Sequence, residues 1–158
     1  MQSTTVARFR WIPIVAFAFM ALAWTDKASA VTPVCGPITS NTTWTLAGSP
    51  YQLTCDVSVL SGATLTIDPG VMVVFNTSTA LIVQDGRLIA EGLAAQNITF
   101  KSDDATVPGA GVRIFPGAGG SASIKYANHQ DLVYGVQIMC CGVIGPFPPA
   151  VIEDTTFS

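Results

Sequence analysis

SGATLTIDPGVMVVF (residues 61–75) is the stretch whose reading decides the fold. Thr64-Leu65-Thr66-Ile67 alternates polar and apolar side chains, the mark of a strand with one buried face. Asp68-Pro69-Gly70 then breaks it: proline presets φ and glycine supplies the positive φ that a tight turn needs. VMVVF (71–75) follows as a strand apolar on both faces, and Ser61-Gly62 turns the chain on the upstream side. Working outward, Val57-Ser58-Val59 alternates before this stretch and Ala80 to Val83 resumes a strand after it.

The same pattern recurs at a fixed distance. Leu65 finds its counterpart in Leu88 within GRLIA (86–90), Val57-Ser58-Val59 in Leu81-Ile82-Val83, and Val73-Val74-Phe75 in Ile98-Thr99-Phe100. Three alignments at 23 to 25 residues point to a solenoid, in which one unit cannot bury its own apolar face and stacking supplies the core. Strands recurring at this period stack in parallel, with Val57, Val59, Leu65, Ile67, Val73 and Phe75 facing inward. No stretch beyond Val31 shows helical periodicity. Past Phe100 the repeat loosens: DDATVPGAG (103–111) reads as an inserted corner loop, and 112–115, 123–126, 135–139 and 151–157 as later strands. The period allows about five coils.

The first thirty residues read as a targeting segment. Arg8 and Arg10 precede an uncharged 14-residue run (11–24), and Ala28-Ser29-Ala30 offers a cleavage site before Val31. The run falls short of the roughly 20 apolar residues that a spanning helix needs; an uncleaved anchor is the alternative. The expected layout is a signal peptide (1–30), an N-terminal capping segment (31–52) and coils (53–158) that are incomplete at the C-terminus. Cleavage leaves four basic and nine acidic side chains, a net charge of −5. That excludes the basic footprint of nucleic-acid binding and disfavours an anionic membrane surface.

Cys35, Cys55, Cys140 and Cys141 are an even set in a chain read as secreted, and four cysteines allow three full pairings. Cys35–Cys55 is the preferred bridge, because both lie where the first coil must be capped. It closes a loop worth about 3 kcal/mol in the chain-entropy model. The adjacent Cys140 and Cys141 read as buried thiols or a vicinal bridge. His129 is the one histidine, so zinc ligation is not expected.

SGATLTIDPGVMVVF (61–75), GRLIAEG (86–92), NITFKSD (97–103) and GVRIFPGAGGSASIKYAN (111–128) resemble the opening coils of secreted bacterial right-handed parallel β-helix proteins of the pectin-lyase-like superfamily. The resemblance covers roughly residues 44–158. It implies an all-β, right-handed parallel β-helix located outside the cytoplasm or at the cell surface. It implies no single activity, since that superfamily includes surface proteins, adhesins and parts of polysaccharide-active enzymes.

No catalytic centre and no cofactor is expected. Glycoside hydrolysis needs two carboxylates flanking the scissile bond. Asp103-Asp104 is the tempting pair, yet adjacent strand residues point to opposite faces, and a solvated loop is the reading adopted. Glu153-Asp154 is read likewise. The Gly-His-Gly element of pectin hydrolases is absent, as His129 sits in Asn128-His129-Gln130; it is expected on the surface or at a corner. Lys101, Lys125, Arg87 and Arg113 read as isolated surface cations. Trp44, Tyr51, Tyr126 and Tyr134 are candidates for stacking on sugars, with Trp44 and Tyr51 more simply closing the N-terminal end of the core.

The expected role is a non-catalytic module with a structural, adhesive or glycan-contacting function. Its partner would be a polysaccharide or cell-surface glycan. The alternative is part of a polysaccharide lyase or hydrolase whose catalytic residues lie outside this chain. VIEDTTF (151–157) has no closing segment after it, so self-association or further coils at that end are expected. PFPP (146–149) blunts an edge, since proline cannot donate to a ladder.

Overall fold

The computed structural model describes residues 30–139 and 150–158. Residues 1–29, read above as most of a signal segment, and Cys140, Cys141 and PFPP (146–149) lie outside the described residues. What is described is all-β, without an α-helix, and every pairing between strands is parallel.

The long strand β3 (Tyr51–Val59) organises the sheets. It follows β1 (Thr32–Ile38) and β2 (Thr42–Trp44), and its two halves pair differently. Residues Tyr51, Gln52 and Leu53 pair with β5 (Met72–Phe75), while Val57, Ser58 and Val59 pair with β6 (Ala80–Val83). The nine-stranded sheet therefore forks into two arms at β3. One arm continues through β8 (Ile98–Ser102), β11 (Ala127–Gln130) and β14 (Thr156–Phe157), the other through β9 (Gly111–Ile114) and β12 (Val136–Ile138). A second sheet of five strands stacks β2, β4 (Thr64–Ile67), β7 (Arg87–Glu91), β10 (Ser121–Lys125) and β13 (Ala150–Glu153). From β4 onward each strand pairs with the third strand after it in the chain.

The inward positions are the ones the alternation selects. Leu65, Val59, Val73 and Phe75 are fully buried, and Val57 and Ile67 nearly so. Each large aliphatic side chain so buried contributes about 1.5–3 kcal/mol. Two of the three sequence alignments are the observed register: Leu65 lies beside Leu88, and Val57 beside Leu81. The third is corrected by two residues. Val73, not Phe75, lies beside Phe100, and Phe75 lies beside Ser102. A two-residue slip keeps the same side chains inward, so alternation alone cannot fix it. The local chemistry does: the Ser102 hydroxyl accepts from the Gly109 N–H (3.0 Å) and donates to the Asp104 carbonyl (2.9 Å). That folds residues 103–110 back so that Gly109 packs on the Phe75 side chain.

Spacing between paired positions runs from 19 residues (Thr32 to Tyr51) to 34 (Leu88 to Ala122). The 103–110 loop and a 3-10 turn at Pro116–Ala118 absorb the excess. Turns occur where the sequence asks for them. Gly70 has φ +79°, and the Val71 N–H bonds back to the Asp68 carbonyl at 3.3 Å. Gly111 (φ +91°) opens β9 where a Cβ would run into the Tyr134 carbonyl oxygen, so both its conformation and its space demand glycine.

Within residues 31–52, β1 and β2 extend the stacks through β3 and β4. Residues 151–157 are two strands, not one: Asp154 (φ +48°) turns the chain between β13 and β14.

Candidate functional site

Cys35 and Cys55 form a disulfide with Cα atoms 5.0 Å apart. It sits where the β1–β3 register shifts between Val34 and Gly36, so a covalent link stands at the break in the ladder. A disulfide is compatible with an extracytoplasmic location. No helix among the described residues is long and apolar enough to cross a membrane.

The aromatic candidates separate into two kinds. Trp44 and Tyr51 stack face to face, centroids 4.9 Å apart and 10° from parallel, and both are buried. The Tyr51 hydroxyl accepts from the Thr45 N–H (2.9 Å), which satisfies its polar end inside the fold. These rings close the core and present no face to a sugar. Tyr134 is 46% exposed in the loop before β12. Tyr126 turns the corner between β10 and β11 with φ +46°. They occupy different corners and form no common platform.

Asp103 and Asp104 lie exposed in the inserted loop. The Asp104 carboxylate accepts from the Thr106 hydroxyl (2.6 Å) and the Thr106 N–H (2.7 Å). Those bonds, the hydroxyl first, hold its pKa below the ordinary value, against an opposing effect of burial. A carboxylate stabilised as the anion is a poor general acid. Its geometry is that of a local turn clasp.

Of the four isolated cations, Lys125 is paired: its Nζ lies 3.2 Å from the Glu153 carboxylate. Glu153, and after it Glu91, raise its pKa, the direction opposite to that of a lysine base. Glu91 accepts a hydrogen bond from Ser123 on the adjacent strand. Among the described residues no three His, Cys, Asp or Glu side chains gather as metal ligands would. A cavity of about 300 Å³ opens beside β1, lined by residues including Pro33, Val34, Ile38, Trp44 and Val57; its walls carry no ionisable side chain.

His129 overturns its expected place at the surface. It is 2% exposed, on the inward face of β11. Its ring stacks between Phe100 and Phe157, each centroid 4.9 Å away and within 19° of parallel. The register explains this: Tyr51, Val73, Phe100, His129 and Phe157 occupy one column across successive strands. Neither ring nitrogen has a hydrogen-bond partner. Burial pushes its pKa down to about 4, opposed by the nearby Gly135 backbone. The signal available in the sequence was Ala127-Asn128-His129-Gln130, where His129 alternates in phase with Ala127.

Reading also missed a set of side chains that bond from strand to strand at the corners. Asn41 Oδ1 accepts from the Thr64 N–H (2.9 Å), Ser49 Oγ from the Met72 N–H (2.9 Å) and Asp56 Oδ1 from the Ala80 N–H (2.8 Å). The three links span 23, 23 and 24 residues, the repeat itself. Gln52 donates to Asn76 (2.8 Å), and Asn128 Oδ1 accepts from both Asn97 (3.4 Å) and Thr156 (2.6 Å).

Compared with known proteins, the chain matches no family model, no curated protein and no solved structure.

Proposed function

We propose that this chain is an exported, right-handed parallel β-helix of the pectin-lyase-like kind. Its walls act as a rigid scaffold that contacts glycan without cleaving it. One observation carries the scaffold reading: the polar side chains at the corners are engaged between successive levels, as Asn41, Ser49 and Asp56 are. An oxygen that accepts a backbone N–H of the next level fixes the spacing of the stack. It is correspondingly poor as a proton carrier.

The right-handed sense rests on the strong preference of parallel crossover connections for that hand. Export rests on the arrangement of residues 1–30, and the Cys35–Cys55 bridge is in keeping with it. Glycan contact rests on outward rows that mix polar and aliphatic side chains: Thr43, Thr66 and Ile89 on one sheet, and Ser58, Ile82, Arg113 and Gln137 on another.

The test is to incubate the secreted chain with insoluble pectin and alginate, measuring both retention and the appearance of new chain ends. Retention without new ends is expected. Shortening of either polymer would overturn the non-catalytic reading, and failure to bind any wall polysaccharide would remove its glycan half. A crystal structure with left-handed coils would refute the proposed hand.

A further inference from the structure

The column Phe100–His129–Phe157 places a titratable ring in an aromatic sandwich near an edge of the stack. Phe100 belongs to a strand covered on both sides, by β5 and β11, and is fully buried. Phe157 is 58% exposed and belongs to the two-residue strand β14, which pairs only with β11 among the described residues. One cover of the imidazole is therefore enclosed, and the other is itself open to solvent. β14 is fastened by the Ser158 N–H to the His129 carbonyl (2.9 Å), by the Asp131 N–H to the Ser158 carbonyl oxygen (3.1 Å), and by Thr156 to Asn128.

No charged group is placed to accept a proton-bearing ring. On β8, Lys101 pairs beside Gln130, one residue from His129 and hence on the outer face. Asp131 after β11 and Asp154 before β14 are exposed, as is Tyr134 in the loop that contacts the ring. Ser158 bonds the backbone of Asp131 and His129, not the imidazole. β12 carries Val136, Gln137 and Ile138, none of them ionisable. An imidazolium formed here has two N–H donors, and only the nearby Gly135 backbone and the ring faces offset its lost hydration.

We propose that His129 and Phe157 form an acid-released latch: a proton on the buried imidazole can be hydrated only if Phe157 leaves its face, so mild acid frees β14 from β11. The sign follows from linkage. The closed form binds the proton with a pKa lowered to about 4, and the opened or unfolded ring with the ordinary 6.5. Closure is thus fully favoured above pH 6.5 and progressively lost as pH falls toward 4. Most carboxylates titrate near or below 4, so the window between pH 7 and 5 isolates the histidine.

The test is amide exchange by NMR on the full chain at pH 7 and 5, corrected for intrinsic exchange, with Leu65 and Val73 amides as internal reference. Protection of the Ser158 and Asp131 amides should fall by about tenfold or more while the reference amides hold. His129→Phe, which continues the aromatic column, should abolish the difference. In Phe157→Ala the imidazole should titrate near its ordinary value. An equal loss of protection in His129→Phe would overturn the latch. So would an imidazole that titrates near 6.5 in the unsubstituted chain with protection unchanged. Should His129→Phe fail to fold, the ring titration alone decides.

Discussion

The levels built from residues 32–91 and those built from residues 98–158 share the same stacks but are held by different means. The first group has the disulfide, a side-chain acceptor at each of three corners, and an interior that is sealed from Leu53 to Ala90, with Val34 and Ile38 of β1 partly buried beside it. The second carries the two excursions, at 103–110 and Pro116–Ala118, and the His129 column. Its last inward side chains are partly open: Ile138 is 47% exposed, Ile152 37% and Phe157 58%. Ile67, Ala90, Ile124 and Ile152 lie in one column, yet only the first three are sealed. An inward position is thus worth what its neighbours above and below make it worth. Sequence phase alone does not set that value.

The comparison can be broken most directly in the core. Leu65→Ala should cost about 3 kcal/mol, through lost burial and the cavity left between fully packed levels. Ile152→Ala should cost less than about 1 kcal/mol, because much of that side chain already meets solvent. Urea midpoints of the two variants measure the contrast; equal shifts would show that both ends are packed alike. Next is the bridge. Replacing Cys35 and Cys55 together with Ser should lower stability by about 3 kcal/mol, the loop-closure entropy of a 20-residue separation. The same loss should appear on adding reductant to the unsubstituted chain, and an unchanged midpoint would place the strength of the first levels elsewhere.

A smaller effect sharpens the corner links. Asp56→Ala leaves the N–H of fully buried Ala80 without its acceptor, at a cost of about 1–2 kcal/mol. Thr156→Val, which removes a bond between exposed groups, should cost only a few tenths. Reversal of that order would mean that the second group of levels depends on its corners more than the first.

Much of this frame is legible in the sequence, and where legibility stops has physical causes. Alternation names Leu65, Ile67, Val73 and Phe75 as inward, and the Leu65–Leu88 and Val57–Leu81 pairs follow from the repeat. The Val73–Phe100 register does not, because a shift of two residues preserves the inward face and only the Ser102–Gly109 closure selects between the options. His129 was misplaced because a lone histidine carries a polar prior, whereas its column neighbours Phe100 and Phe157 are distant in sequence. The corner acceptors were invisible for a related reason. Asn41, Ser49 and Asp56 look like ordinary turn residues until their partners 23 or 24 positions on come alongside. Asp103 and Asp104, conspicuous as a pair, turned out to be used locally by one of them.

The smallest effect expected concerns the charged column on the outer wall. Lys125 lies between Glu91 and Glu153 on adjacent strands, and the attraction raises its pKa, chiefly through Glu153. A raised lysine pKa contributes stability below the ordinary 10.5 and loses it as pH rises beyond that value. Both partners of the 3.2 Å ion pair are substantially exposed, however, at 35% and 56%. Solvent and salt screen such a pair, and two long side chains must be ordered to form it. Lys125→Met should therefore leave the urea midpoint unchanged within error at physiological salt, and equally unchanged at low salt. A salt-dependent loss would show that charge, and not only the sealed interior and the corner bonds, sets the order of these levels. In that case the second group would have a polar lock of its own to set against the disulfide of the first.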